Sequence, residues 1–301
     1  MRLLRIPELP ELVSTFRRCQ SVFRKALVLL RYPGKWHHFI HYSVTRLFVG
    51  NGVARIPEKG RIRTSTFSEY LSVYNLLPSR GEQNLMRKRL AYAHNVFDVG
   101  ANVGAWTVLM SKFNPSARIH SFEPNSATFK LLEVNVRENN CENVTLINAA
   151  ASDQEGITRF EVPTSASIFG RIVPAEQPID SDDRFLNAPV SQVLRLRLGD
   201  YCRRAGVAEI DFMKMDVEGH ELAALRGLQP LLSGRRVRSL YVETIEANHE
   251  RAGSSFSDFV QFVNDCGYEL WTINEKGEPD SLVYLNAIQA HNHLCLPTGS
   301  D

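Results

Sequence analysis

From Asn95 onward, short runs of β-branched and apolar residues alternate with stretches whose apolar positions recur every three or four residues. The short runs suit strands buried on both faces, and the amphipathic stretches suit helices laid against them. This pattern predicts strands at Asn95–Val99, Arg118–Phe122, 145–148, 210–215, 239–243 and 268–272, with helices at about 106–113, 126–139, 222–232 and 255–266. Strand and helix in regular succession are the mark of βαβ units, so the expected fold is α/β with a doubly wound, mostly parallel sheet. Segment 163–189 breaks the rhythm, being rich in Pro, Ser and Asp without a period. It is expected to be a long loop of the kind that serves as a lid or binding loop.

Ahead of this body, apolar residues between 12 and 48 recur at helical spacing around a turn at Tyr32-Pro33-Gly34. Residues 1–63 are therefore read as a helical N-terminal arm and 64–301 as the main domain. Charge sharpens the division. Residues 1–63 hold 13 Lys and Arg against 3 Asp and Glu, or +10, while the remainder holds 22 against 30, or −8. A basic arm on an acidic body would be drawn to an anionic surface or would dock on its own domain. Trp36, Phe39, Tyr42 and Phe48 interleave with Lys35, His37, His38 and Arg46, which suits peripheral contact with a membrane; packing on the main domain or a dimer contact would use the same pattern. The oligomeric state is not legible. A body of −8 argues against a nucleic-acid partner, whose phosphates call for a basic surface.

With 44% hydrophobic and 23% charged residues, the composition is that of an ordinary globular protein. The start lacks an unbroken apolar signal segment and no apolar run approaches the ~20 residues of a membrane span, so a cytoplasmic protein is expected. Five scattered cysteines, none paired at zinc-ligand spacing, are expected to be reduced thiols.

The chemistry concentrates at strand ends. Asp98-Val99-Gly100-Ala101-Asn102-Val103-Gly104 runs from a strand through a glycine turn into a helix. Its Gly-x-x-x-Gly spacing departs from the Gly-x-Gly-x-x-Gly of nicotinamide sites, and Asp98 would repel a pyrophosphate while favouring a cationic amino-acid tail. Both features favour S-adenosylmethionine. Glu123 ends the next strand, 19 residues beyond Gly104, near the ~20 expected of an acid that accepts hydrogen bonds from a ribose diol. Ser152 and Asp153, after a run of three alanines, are candidates for the adenine edge, and a plain strand-to-loop turn explains them as well. Lys214, Asp216 and Glu218 alternate at the end of the fourth strand, and Glu243 ends the fifth. Ligands of open α/β sheets sit beyond these strand ends, so the acids would lie over the cofactor.

Together Phe97-Asp98-Val99-Gly100-Ala101-Asn102-Val103-Gly104, Phe122-Glu123-Pro124, Ala151-Ser152-Asp153 and Lys214-Met215-Asp216-Val217-Glu218-Gly219-His220-Glu221 resemble the FkbM-type methyltransferases, over roughly residues 81–288. The resemblance implies a class I, Rossmann-like seven-stranded sheet, S-adenosylmethionine as cofactor, and methyl transfer to a hydroxyl oxygen of a small molecule, glycan or lipid. By it, Asp98, Gly100, Asn102 and Gly104, with Ala101 between them, cradle the methionyl part; Glu123 and Pro124 lie at the ribose; Asp216 lies near the methyl; and Glu82 completes the cofactor site. The proton of the acceptor hydroxyl is expected to pass to Asp216, Glu218, His220, Glu243 or His249, with Asp216 or Glu243 favoured. A divalent ion shared by Asp216 and Glu243 ranks below an unassisted mechanism, so no metal is assigned. Two rivals remain at this level: an NAD-dependent oxidoreductase on a similar sheet, and a non-catalytic cofactor-binding module carrying a membrane-associating arm.

Overall fold

A computed structural model describes residues 42–43, 52–75, 77–163, 170–173, 188–283 and 292–299. The helical pair expected between 12 and 48 lies outside these residues, apart from Tyr42 and Ser43, which are helical.

The described chain opens with a hairpin where the basic arm was expected to continue: β1 (Gly52–Ile56) and β2 (Gly60–Thr64) pair antiparallel. Glu58 and Lys59 both take positive φ, 54° and 57°, and Gly60 donates its N–H to Pro57 O, as in a two-residue primed turn matched to strand twist. β2 is sealed onto the domain by side chains. Asn135 and Asn139 accept from the N–H groups of Arg63 and Arg61, at 2.6 and 2.9 Å, and donate back to the same two residues' carbonyls. Residues 52–63 therefore belong to the domain and are not helical.

Two helices follow, α1 (Phe67–Asn75) and α2 (Arg80–Leu90), the latter started by a capping box between Ser79 and Glu82. Then come β3 (Asn95–Val99), α3 (Ala105–Phe113), β4 (Arg118–Phe122), α4 (Ser126–Glu138) and β5 (Val144–Ile147). Next are β6 (Ala150–Ser152), β7 (Gly156–Glu161), β8 (Arg171–Val173), β9 (Val190–Arg197) and α5 (Leu198–Ala205). The last part runs β10 (Phe212–Met215), α6 (Glu221–Arg226), α7 (Gln229–Ser233), β11 (Leu240–Glu243), α8 (Glu246–Arg251), α9 (Phe256–Asp265), β12 (Tyr268–Ile273), β13 (Pro279–Leu282) and β14 (Asn292–Pro297).

The main sheet has the order β13-β12-β14-β11-β10-β3-β4-β5 among the described residues. Strands β11, β10, β3, β4 and β5 are parallel, and β14, β12 and β13 add antiparallel pairs at one side. It is the expected doubly wound sheet with eight strands in place of seven. The extra one arises because the chain after β12 turns at Gly277, φ 72°, and folds back as β13. Neighbouring residues on each strand divide between two cores: Val96, Phe212, Tyr241 and Leu294 pack with α2, α3 and α4, whereas Phe97, Met213, Leu240 and Cys295 pack with α5, α6, α7 and α9. That period-two split explains why apolar residues occupy successive positions in these strands.

A second sheet, ordered β6-β9-β7-β8, was not foreseen. Its β8 falls within the loop expected at 163–189, pairing Arg171–Val173 with β7. The single helix expected at 222–232 is two, α6 and α7. Pro230 lacks an N–H to continue the ladder, and Gly227 packs so closely that a Cβ there would stand 2.0 Å from Ser152 O. Cys141, Cys202, Cys266 and Cys295 are buried free thiols. No helix among the described residues is long and apolar enough to cross a membrane.

Candidate active site

A cavity of about 430 Å³ opens at the carboxyl ends of β3, β4, β10 and β11, within the range of roughly 300–1,000 Å³ usual for small-molecule sites. One wall is the turn after β3. Gly100, Asn102 and Gly104 take φ of 82°, 52° and 94°, and the N–H groups of Gly100 and Ala101 both donate to Phe122 O. A Cβ on Gly100 would lie 1.8 Å from Asp216 O, so glycine there lets the β3 turn cross the end of β10. Ala101 and Asn102 line the cavity beside it.

Glu123 stands across from this turn, buried and on the cavity wall. Its two oxygens accept the N–H groups of Asn102 (3.0 Å) and Asn125 (2.8 Å), which leaves each oxygen a further lone pair. Burial pushes its pKa up to about 7, against the pull of those N–H bonds and of Lys214. Pro124 lies beside it, and Ala149, Ala150 and Ala151 supply a small-residue wall. Glu82 faces the cavity, its Oε1 accepting from Tyr241 Oη at 2.7 Å and its Oε2 held by the Ser79 N–H.

Four expected cofactor contacts stand elsewhere. Asp98 is fully buried behind the turn, off the cavity wall; its Oδ2 accepts from Thr107 on α3 at 2.5 Å, and its Oδ1 has no hydrogen-bond partner. Burial raises its pKa, with Lys214 and Thr107 opposing. Its part is to brace the turn against α3. Ser152 is buried beside His220, its Oγ 3.2 Å from Nε2, and does not line the cavity. Asp153 lines a separate surface groove with Arg197 and Arg226. Gly104 starts α3 as its left-handed cap and does not line the cavity.

The acids after β10 and β11 do converge. Asp216, Glu218 and Glu243 all line the cavity, and each offers an oxygen within 4.8 Å of the others. Lys214, buried among them, donates to Asp216 Oδ2 at 3.1 Å and to Gly100 O at 3.3 Å. Burial works against its charge, but Asp216 and Asp98 outweigh that and hold its pKa above the ordinary lysine value. Glu243 is pushed well up, by burial first and then by Asp216, Glu218 and Glu221. Its like-charged neighbours at this spacing thus disfavour the ionised form of Glu243. The same three oxygens are spaced as ligands for a divalent cation, and Lys214 supplies part of the counter-charge that a cation would bring.

His220 borders the cavity, but burial pushes its pKa down to about 4 and its Nε2 is engaged by Ser152. His249 is fully buried and off the wall, so it reaches no acceptor. Residues that the sequence reading passed over also matter. Tyr241 anchors Glu82 and stacks with Trp106 at 5.9 Å, and Asn248 Nδ2 donates to Glu218 Oε2 at 3.0 Å. Tyr241 was signalled by its alternation with Glu243 on β11; Asn248 carried no signal.

The wall suits the cofactor expected of it by donor chemistry. Glu82, Glu123, Asp216 and Glu243 face a cavity that would hold a positively charged sulfonium and a ribose diol, with small alanines beside a flat base.

Comparison with known proteins agrees. A family model described as "Methyltransferase FkbM domain" matches residues 98–270, more than half of the 301-residue chain. Methyltransferase sdnD of Sordaria araneosa is 26% identical over 213 residues, covering 64% of this chain and 80% of that protein. The 31-O-demethyl-FK506 methyltransferase FkbM of Streptomyces tacrolimicus is 28% identical over 155 residues, 44% of this chain and 59% of its own length. The hexuronic acid methyltransferase AglP of Haloferax volcanii is 28% identical over 160 residues, 52% of this chain and 60% of its own.

Proposed function

Because the chain belongs to the FkbM methyltransferase family, we propose that this S-adenosylmethionine-dependent enzyme methylates a hydroxyl oxygen on a small molecule, glycan or lipid. The observation that carries the reading is the junction of two surfaces in one cavity: the β3 turn with Glu123 on one side, and the Asp216, Glu218 and Glu243 cluster on the other. When bound, the cofactor supplies a methyl group that is open to in-line attack. The chain's own residues bring the acceptor to it and manage one proton.

Glu123, fixed by two backbone N–H groups, is placed to accept from a diol. Glu82 is held by Tyr241 and the Ser79 N–H, and presents a carboxylate to the positive end of the donor. Asp216, oriented by Lys214, is the proton acceptor, and Glu243, pushed up to about 10 by burial and its acidic neighbours, keeps its own proton near neutrality and shares it within the cluster. His220, with its depressed pKa and its bond to Ser152, is left a positioning part. The names of two relatives, which specify 31-O-demethyl-FK506 and hexuronic acid, support an oxygen acceptor on a small molecule or sugar.

The test is untargeted metabolite profiling with label in the donor's methyl group, run on wild type and Asp216→Asn. A labelled methyl ether made by wild type alone, with donor binding retained in the variant, is the expected result. A product labelled on nitrogen or carbon, or full turnover by Asp216→Asn, would overturn the assignment.

A further inference from the structure

We propose that Glu221 and His249, neither of which touches the cavity, form a positioning pair that locks the acid-bearing turn 216–220 to α8 once the site is filled. The pair deepens the methyl-transfer reading above and rests on it.

Glu221 is the first residue of α6, yet its side chain folds back. Oε1 accepts the N–H of Val217 at 2.9 Å and that of Gly219 at 3.3 Å, so it staples the turn that carries Asp216 and Glu218. Its other oxygen, Oε2, has no hydrogen-bond partner, although Glu221 is 1% exposed. His249 is 0% exposed, and its Nε2 likewise has none. The two stranded atoms face each other across 4.0 Å. Buried polar atoms in folded proteins almost always find partners, and among the described residues neither atom is bonded to any other group. An approach of ~1 Å brings them to hydrogen-bond distance.

That approach would tighten a joint that already exists. Asn248, next to His249 on α8, donates to Glu218 Oε2, and its carbonyl oxygen lies so near Gly219 that a Cβ there would meet it at 2.2 Å. The same helix contributes Ala247, Asn248 and Arg251 to the cavity wall. Drawing His249 to Glu221 therefore moves a wall and a pair of acids as one body. The pairing needs one proton between Oε2 and Nε2; burial pushes Glu221 up to about 7, which favours a carboxyl that donates, and pushes His249 down, which favours a neutral ring that accepts.

Three variants separate positioning from bulk support. Glu221→Gln keeps an oxygen for the two N–H groups and offers an amide to His249. Glu221→Ala removes both links. His249→Phe keeps a ring against Phe259, which lies 5.6 Å away between centroids, but removes Nε2. Amide exchange is read in full-length protein saturated with sinefungin, a donor analogue that carries no transferable methyl. Methyl incorporation is read with labelled donor and a small-molecule cell extract as the acceptor pool.

Glu221→Ala and His249→Phe should each speed exchange in both 216–220 and 246–251 by about ten-fold or more, leaving α9 unchanged. Each should lower methyl incorporation by about ten-fold with donor affinity held within about two-fold. Glu221→Gln should match wild type in both readouts. The proposal is overturned if His249→Phe leaves 216–220 protected, if Glu221→Gln behaves like the alanine variant, or if lost incorporation follows lost donor affinity. Should Glu221→Ala not fold, His249→Phe decides alone. If wild type incorporates no label while the exchange pattern holds, it is the methyl-transfer reading that fails and the pair that stands.

Discussion

Replacing Gly100 with alanine tests whether the β3 turn and the acid turn after β10 are built as one crossing. The new Cβ would sit 1.8 Å from Asp216 O, and contacts under 3.0 Å are essentially never made by real Cβ atoms, so one backbone must move by ~1.2 Å. Alanine at φ 82° also costs about 1–2 kcal/mol, since an L side chain crowds its carbonyl in the left-handed region. Overpacking adds about 1–3 kcal/mol, for a total of roughly 2–5 kcal/mol. In a domain of this size that corresponds to a fall in Tm of roughly 4–20 °C. Gly156→Ala is the control. Gly156 also has positive φ, 125°, but nothing lies within 4 Å of its would-be Cβ, so it carries the conformational cost alone. Differential scanning calorimetry measures both, and titration calorimetry with S-adenosylmethionine follows the site. Gly100→Ala should lose more stability than Gly156→Ala and should bind the donor at least ~10-fold more weakly, because an ångström of misplacement is costly in an organised site. Equal stability losses, together with wild-type donor affinity, would refute the crossing.

Other outcomes follow from the same geometry. Glu123 accepts from a diol in its ionised form, and its folded pKa is raised to about 7, so donor affinity should fall as pH drops through 7 toward 5; Glu123→Gln should flatten that dependence in titration calorimetry. In the donor-free protein the sign for stability is opposite: a raised carboxyl pKa favours the folded state below about 4.5, and that contribution is lost as pH rises through 7, which denaturant melts at pH 5 and 8 measure. Asn135→Ala strands the Arg63 N–H and the Arg63 and Val103 carbonyls, so it should cost about 1–3 kcal/mol in urea melts for each group left buried and unpaired. Turnover should persist in a chelator, since Lys214 already serves the acid cluster as its cation; abolition by the chelator and rescue by magnesium would reverse that assignment.

How much of this was legible depended on what each signal reports. Asn95–Val99 and Arg118–Phe122 were placed to the residue because each sends apolar side chains into both cores and is followed by a turn former, Gly100 or Pro124. The hairpin was hidden because its buried positions include Gly52, Ala54, Gly60 and Thr64, while Arg55 and Arg61 occupy its exposed face. Such a strand reads as a basic segment and little more. At the site, Glu123, Asp216, Glu218 and Glu243 were legible because strand ends fix where side chains emerge. Asp98 lies off the cavity because the side chain just before a strand's end faces either the ligand or the neighbouring helix, and here it meets Thr107 on α3. Glu221 entered the sequence reading only as the end of a motif; its return to the turn before it is a matter of rotamer, which spacing does not encode.

The eighth strand bears on how copies of the chain can associate. Among the described residues β13 is the outermost strand on its side of the sheet and consists of Pro279-Asp280-Ser281-Leu282, a strand with one proline, which has no amide hydrogen, and one charge. Such a border is a poor template for a neighbour's backbone. Stacking of copies strand upon strand is discouraged on that flank, and any pairing of two chains there would have to use side-chain surfaces.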